Sequence, residues 1–265
     1  MLRAEEGPGL TFLRLARTVL GRPLYRGGAY YCDGVLIDCG PPATAREVLS
    51  FLEGRPLEAV LVTHHHEDHM GAAPLLLERR GVMPRVHPTG VELLARGYPQ
   101  EAYRRAVWGR PRRVRAEPLG DEVEAGGLRL QVLFTPGHSP DHVCFFEPER
   151  GWLFTGDLFL AERLRFLRAD EDFHALLASL ERMAALPARH LLCAHRGPVP
   201  GGIEALRRKA AHLRAMRDEI TALLGQGLPE VEVARRAVGP EGWLTWLSLG
   251  HFSARNFVRA VARRG

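Results

Sequence analysis

Long apolar runs are missing from this sequence, and no stretch approaches the roughly 18 residues that a membrane-spanning helix requires. The first six residues, MLRAEE, are not followed by the apolar segment of a secretory signal peptide. We therefore expect a cytoplasmic protein with no membrane partner.

Cysteine is scarce, and no two cysteines have the C-x-x-C spacing of redox or zinc sites. We expect all four cysteines to be reduced and mostly buried; they are Cys32, Cys39, Cys144 and Cys193. The alternative is a disulfide between Cys32 and Cys39.

Lysine is almost absent as well, since Lys209 is the only lysine among the 36 basic residues. Arginine therefore carries nearly all of the positive charge, and the formal net charge is +5. This charge is uneven, because residues 79–115 contain ten arginines against only Glu92 and Glu101. The segment is either a solvated helical surface or a surface that faces phosphate groups.

The size and composition are those of an ordinary globular protein. The 265 residues suffice for one large domain, or for one domain with a small addition. An apolar content of 46% and a charged content of 25% allow a core that folds without disulfides or a structural metal. A metal bound by this chain would therefore serve chemistry rather than stability.

Hydrophobic periodicity predicts an α+β fold of two mixed sheets packed together with helices outside. Short apolar or alternating segments predict strands at 10–19, 29–38, 57–63, 128–134, 142–147, 151–155 and 189–193. Helical patterns occur at 70–80, in two pieces over 89–108, at 172–185, and then at 203–224, 230–238 and 251–263.

The helical end of the chain predicts a division into two parts. Residues 1–200 form the main domain, and residues 201–265 form a C-terminal helical module whose spacing is loosely that of a winged helix. We expect Trp243, Trp246 and Phe252 to be the core of this module, with an aromatic wall over the active site as the alternative.

The most informative segment is His64-His65-His66-Glu67-Asp68-His69, which directly follows the apolar strand predicted at 57–63. Loops at strand ends usually present functional side chains. Imidazole and carboxylate groups suit Zn(II), Fe(II) or Mn(II). The pattern His-x-His-x-Asp-His therefore predicts a metal site.

Three further ligand-type residues each follow a predicted strand and lie beside a glycine. His138 is in Thr-Pro-Gly-His, Asp157 is in Thr-Gly-Asp, and His195 precedes Arg-Gly-Pro. Each of these three residues alone is weak evidence for a metal site. Four strand ends that each carry a ligand-type residue are together much stronger evidence.

In this order the motifs resemble those of the metallo-β-lactamase superfamily, in particular its glyoxalase-II-like and small beta-lactamase-like nuclease members. The resemblance covers roughly residues 10–200 and implies an αββα sandwich with two metal ions, most simply Zn(II), with Fe or Mn as alternatives. It also implies that Asp38 supports the metal loop. Asp157 would bridge the ions, and both Asp68 and Asp157 would have catalytic roles. The implied first site is His64, His66 and His138, and the second is Asp68, His69 and His195.

Hydrolysis by a hydroxide that bridges the two ions is the activity that this resemblance implies. The leading prediction is a small-molecule thiolester or acyl-ester substrate. The alternatives are cleavage of RNA or DNA, supported by the arginine-rich segment and the helical module, and a non-catalytic metal-binding protein.

Two departures from the family pattern concern the substrate. Residues 158–168 lack the Gly-Lys-Phe-Tyr-like segment with which glyoxalase II grips glutathione, and Arg196 stands where many relatives have glycine. Within that segment, Arg163, Arg165 and Arg168 either bind an anionic substrate tail or lie in a solvated loop.

Overall fold

A computed structural model describes residues 1–263 of the chain. The strands in this part are β1 (Leu2–Gly7), β2 (Leu10–Leu15), β3 (Thr18–Val19), β4 (Arg22–Pro23), β5 (Gly27–Cys32), β6 (Val35–Ile37), β7 (Ala59–Leu61), β8 (Pro84–Val86), β9 (Glu117–Pro118), β10 (Glu122–Ala125), β11 (Leu128–Phe134), β12 (Val143–Glu147), β13 (Trp152–Phe154), β14 (Leu167–Arg168), β15 (His190–Cys193), β16 (Gly197–Pro198) and β17 (Phe252–Ser253). The α-helices are α1 (Ala45–Phe51), α2 (Glu67–Met70), α3 (Ala73–Arg80), α4 (Pro88–Arg96), α5 (Ala102–Trp108), α6 (Phe173–Ala184), α7 (Ile203–Gly225), α8 (Glu230–Ala237), α9 (Trp243–Leu247) and α10 (Ala254–Ala262).

Two mixed sheets form the centre of the molecule. The first has the strand order β1-β2-β5-β6-β7-β8-β9, antiparallel from β1 to β6 and parallel from β6 to β9. The second has the order β10-β11-β12-β13-β15-β16, in which only β13 and β15 pair in parallel. These two sheets confirm the predicted α+β class.

The apolar residues divide into three layers because successive strand residues point to opposite faces. Phe12 of β2 and Phe145 of β12 lie in the cluster between the two sheets. Their neighbours Leu13 and Phe146 belong to the two outer clusters, where the sheets meet the helices. The outer layers contain α1, α3 and α4 on the first sheet and α6, α7, α8 and α10 on the second, so the packing is αββα.

Several predicted boundaries were wrong, each for a local reason. Strand β1 was not predicted, because it is an edge strand with mostly exposed side chains and lacks an apolar alternation. The strand predicted at 10–19 ends at Leu15, where the chain leaves the sheet for the small β3–β4 hairpin. The helix predicted at 70–80 is two helices, and the first of them begins inside the histidine-rich motif at Glu67.

The aromatic core predicted for the C-terminal module is wrong. Trp243 and Trp246 are 75% and 80% exposed, and Phe252 is half-buried. The apolar residues of α7, α8 and α10 instead share one cluster with α6 and the second sheet. The division of the chain at residue 200 stays a prediction.

The thiols behave as expected, and all four cysteines are buried and free. Within residues 1–263, no helix has both the length and the apolar character needed to cross a membrane.

The single lysine is buried in α7 beneath the second sheet. Lys209 is 1% exposed, and its Nζ donates a hydrogen bond of 2.6 Å to the carbonyl oxygen of Leu158, the residue after Asp157. Burial lowers the pKa of Lys209 from 10.5 to about 8. This side chain ties the helical layer to the loop that carries Asp157.

The lowered pKa predicts how stability depends on pH. The unfolded chain holds the Lys209 proton more tightly than the folded chain, so the contribution of Lys209 to stability rises with pH between about 8 and 10.5. Relative to the variant Lys209→Met, the wild type should gain about 3 kcal/mol of unfolding free energy over this window. Urea unfolding of both proteins at several pH values measures the difference. Parallel stability curves for the two proteins would contradict the prediction.

Candidate metal centre

The loops after four strands converge at one edge of the two sheets. The loop after β7 carries His64, His66, Asp68 and His69, and the loops after β11, β13 and β15 carry His138, Asp157 and His195. All seven of these side chains are buried or nearly so. The structure therefore brings together every residue that the sequence predicted as a metal ligand.

The seven side chains form two groups. In the first, His64 Nε2 lies 2.8 Å from His66 Nδ1, and His138 Nε2 lies 3.2 Å from the same atom. In the second group, formed by Asp68, His69, Asp157 and His195, the ligand atoms all lie within 4.8 Å of one another. Three or four imidazole and carboxylate groups at this spacing are a donor set that suits a divalent transition metal.

Asp157 faces both groups at once. Its Oδ1 lies 3.1 Å from His195 Nε2 and 3.3 Å from His69 Nε2. Its Oδ2 lies 3.3 Å from His138 Nε2, on the side of the first group. One carboxylate is thus placed between the two groups, with an oxygen toward each.

Two buried polar atoms at the junction fit a metal rather than a hydrogen bond. Asp157 Oδ1 lies close to both His69 Nε2 and His195 Nε2, but neither His69 Nε2 nor Asp157 Oδ1 makes a hydrogen bond within residues 1–263. Leaving a buried donor or acceptor unpaired is costly. Coordination of a cation would satisfy both atoms, so the residues present fit a metal ion.

The orientation of three imidazoles is fixed from behind by acceptors. The Nδ1 atoms of His69, His138 and His195 lie 2.8 Å from Asp38 Oδ2, 2.6 Å from Glu171 Oε1 and 2.7 Å from the Arg26 carbonyl oxygen. An Nδ1–H that donates to such an acceptor leaves Nε2 directed into the cluster. This is the usual arrangement behind a metal-binding histidine.

Asp38 occupies the supporting position that the family resemblance implied. Its Oδ1 accepts hydrogen bonds from the Thr63 backbone N–H at 2.8 Å and from the Thr63 hydroxyl at 3.0 Å. Its backbone has a φ of 57°, which is uncommon for a residue other than glycine. This strained turn holds the start of the histidine-rich loop against β6.

The two groups differ in their affinity for protons. Burial is the largest effect on His64 and lowers its pKa well below the usual range. Burial also acts to lower the pKa of His69, but the carboxylates of Asp38, Asp157 and Asp68 outweigh it and raise that pKa well above the ordinary value. A metal ion must displace a proton from such a histidine, so affinity at the second group should fall as the pH falls.

His142 supports the loop that carries Asp157. Its Nδ1 lies 2.8 Å from the Thr135 hydroxyl, and its Nε2 accepts a hydrogen bond of 3.1 Å from the Asp157 backbone N–H. Gly156 has a φ of 47°, and a Cβ at this position would lie 2.7 Å from His142 Nε2. Glycine is therefore required for the close approach of the two loops.

The sequence did not identify the partners of the remaining charges in the motif. Glu67 is fully buried and receives two hydrogen bonds, of 2.7 and 2.8 Å, from the guanidinium of Arg104 in α5. His65 is held by Asp141 at 2.7 Å. Arg168, grouped from the sequence with Arg163 and Arg165, is the one that is buried, and its guanidinium nitrogens lie 3.3 Å from both ring nitrogens of His66. No local pattern marks these pairs, because their partners are 37 to 102 residues apart.

A cavity of about 490 Å³ opens beside His195. Leu24, Tyr25 and Leu160 give it an apolar part, and Arg26 and Arg196 give it a basic part. The ring of Tyr25 packs against the ring of His195 with centroids 5.6 Å apart. Arg196 of the last motif therefore lines the cavity.

Comparison with known proteins agrees with this geometry. The family model described as the metallo-beta-lactamase superfamily matches residues 33–195 of this chain. A hydroxyacylglutathione hydrolase of Legionella pneumophila (strain Paris) is 32% identical over 166 residues, which are 60% of this chain and 57% of that protein. The chain thus spans less than two thirds of that relative.

Two solved structures share the fold. A metallo-beta-lactamase family protein from Thermus thermophilus is 25% identical, with a TM-score of 0.68 over 97% of this chain and 92% of that one. The protein TTHA1623, in a di-iron-bound form, is 30% identical, with a TM-score of 0.58 over 71% of this chain and 96% of that one. Because the family match covers most of the sandwich and all four converging loops, this chain belongs to the metallo-beta-lactamase superfamily.

Proposed function

We propose that this protein is a hydrolase with two divalent metal ions, and that its substrates are small thiolesters or acyl esters. His64, His66 and His138 hold one ion, Asp68, His69 and His195 hold the other, and Asp157 bridges them. The observation that carries the proposal is the placement of Asp157, with Oδ1 toward the second group and Oδ2 toward the first. A carboxylate in this position serves two ions better than one.

When bound, such ions lower the pKa of water toward ~7 and polarise the carbonyl group of a substrate. Zn(II) is the proposed metal, since nitrogen and oxygen ligands in groups of three or four suit it. Fe and Mn are compatible with the same ligands, and TTHA1623 is described in a di-iron-bound form.

The side chains of the protein have distinct tasks in this reaction. Asp68 Oδ2 lies 3.3 Å from His195 Nε2 in the second group, and the role proposed for this carboxylate is to take a proton during hydrolysis. The cavity beside His195 orients the substrate, with Leu24 and Tyr25 against its apolar part and Arg26 and Arg196 near an anionic part.

The thiol part of the substrate is proposed to differ from glutathione. The relative from Legionella pneumophila is named for a glutathione thiolester. In the segment after Asp157 of this chain, Leu158 and Phe159 are instead buried in the core. Arg168 donates hydrogen bonds to the Asp170 carboxylate and to the His138 carbonyl oxygen. The segment therefore differs in sequence from the one with which glyoxalase II grips glutathione, and its buried side chains serve the fold.

The experiment pairs metal analysis with two substrates. Purified protein is expected to contain close to two metal ions per chain and to hydrolyse a simple acyl thiolester faster than S-lactoylglutathione. RNA cleavage without thiolester turnover would replace the proposal with a nuclease function. Failure to bind metal after Zn(II) or Mn(II) is supplied would overturn the ligand assignment itself.

A further inference from the structure

A second cavity, which none of the seven predicted metal ligands lines, lies between α4, α5 and the segment that follows α5. Its volume is about 270 Å³. The residues that matter here are five arginines and one amide among its lining: Arg96, Arg105, Arg110, Arg112, Arg113 and Gln100. No carboxylate of the described part of the chain lines it. The arginine-rich segment of the sequence therefore folds around a concave basic site rather than a flat surface.

Most of this positive charge is not neutralised. Arg96 pairs with Glu92 and Arg112 pairs with Glu78, but both pairs are exposed and such pairs bind weakly. The side chains of Arg105, Arg110 and Arg113 form no ion pair within residues 1–263. The lining of the cavity thus includes three arginines that have no carboxylate partner in the described residues.

The amide group of Gln100 is a second, independent sign of a ligand. Gln100 is 7% exposed, and its Nε2 donates a hydrogen bond of 3.2 Å to the Gly109 carbonyl oxygen. This contact fixes the amide so that Oε1 is the free end, and Oε1 is buried without a partner in the described chain. Leaving a buried acceptor unpaired is costly, so a ligand donor that reaches Oε1 would be favoured.

We propose that this cavity binds a nucleotide phosphate. Guanidinium groups match phosphate oxygens with two parallel hydrogen bonds, so the arginines take the phosphate. Gln100 Oε1 accepts a hydrogen bond from a sugar hydroxyl or a base amino group, which inorganic phosphate lacks. The volume is near the lower end of small-molecule sites, which begin at about 300 Å³, so it holds one nucleotide unit. That unit is either a free nucleotide or one nucleotide of an RNA strand.

The cavity borders the metal-binding turn without belonging to it. Tyr98 lines the cavity, and its hydroxyl donates to Glu67 Oε2 at 3.3 Å. Met70, which follows His69, lines it as well. None of the five arginines is in either ligand group. Nucleotide binding is therefore measurable separately from hydrolysis, and its failure would leave the proposed hydrolase function intact.

The test is calorimetric titration of the metal-loaded full chain with AMP, adenosine, inorganic phosphate and a short single-stranded oligoadenylate. AMP or the oligoadenylate should bind more tightly than adenosine or phosphate. The double variant Arg110→Glu/Arg113→Glu should weaken that binding at least about tenfold, because two charge-assisted contacts become repulsive. Arg115→Glu is the matched control, an exposed arginine of the same segment outside the cavity lining, and should change affinity by less than about twofold.

The remaining comparisons separate the sources of the ligand. Gln100→Met should weaken AMP binding but not phosphate binding. Tight binding of AMP assigns the cavity to a free nucleotide, and binding of the oligoadenylate alone assigns it to an RNA strand. The proposal is overturned if neither ligand binds, or if Arg115→Glu weakens binding as much as the double variant. Unchanged thiolester hydrolysis in the double variant confirms that the fold is intact.

Discussion

Replacing Asp157 by asparagine is expected to reduce the metal content from about two ions per chain to one or none. The amide keeps the shape of the side chain but offers one oxygen, whereas the carboxylate directs Oδ1 and Oδ2 toward different groups. Hydrolytic kcat/KM should fall on the order of 10³-fold, since the ions supply several kcal/mol and each tenfold loss is about 1.4 kcal/mol. Elemental analysis and steady-state kinetics of the variant measure both effects.

The matched control for this variant is Asp141→Asn. Asp141 is also a fully buried aspartate beside the motif, but it binds His65 and lies outside both ligand groups. It should retain two metal ions. Unchanged metal content and rate in Asp157→Asn would refute the bridging role, and equal metal loss in Asp141→Asn would attribute the effect to general damage.

Removal of Arg104 is expected to destabilise the fold by about 3–5 kcal/mol, because Arg104→Met leaves the buried carboxylate of Glu67 without its partner. Glu67 lies in α2 between His66 and Asp68, so a shift of this turn should also weaken metal binding. Denaturant unfolding of the metal-free proteins measures the loss of stability, and titration with Zn(II) measures the second effect.

The neighbouring residue supplies the control. Arg105→Met changes an exposed arginine without a carboxylate partner in residues 1–263 and should alter stability by less than about 0.5 kcal/mol. The double variant Glu67→Gln/Arg104→Met should recover part of the loss, since it leaves no unpaired charge. Equal stability of Arg104→Met and the wild type would mean that the Glu67–Arg104 pair is not a structural element.

The layered architecture was predictable because its signal is local. Residues 59–62, just before the histidine-rich motif, are all apolar and buried, which is expected for a strand covered on both faces, and β7 lies within them. The strand before Asp157 is also fully buried, whereas the strands before His138 and His195 are buried only in part; the ends of all three supply the other ligands. Boundaries were less predictable where a segment lacks a buried face, as in β1 and in the exposed α9.

The sequence alone was enough to identify the seven side chains at the centre. The signals for a strand end, a glycine turn and a ligand-type residue each lie within a few neighbouring residues. The family resemblance implied their division into two sites, but only the tertiary structure showed which oxygen of Asp157 faces which group, which acceptors fix His138 and His195, and which arginine neutralises Glu67. It also decided that arginines scattered over residues 79–115 surround one cavity with Gln100. The physical reason is distance along the chain, since these contacts join residues whose separation is set by the packing of the two sheets and not by any local pattern.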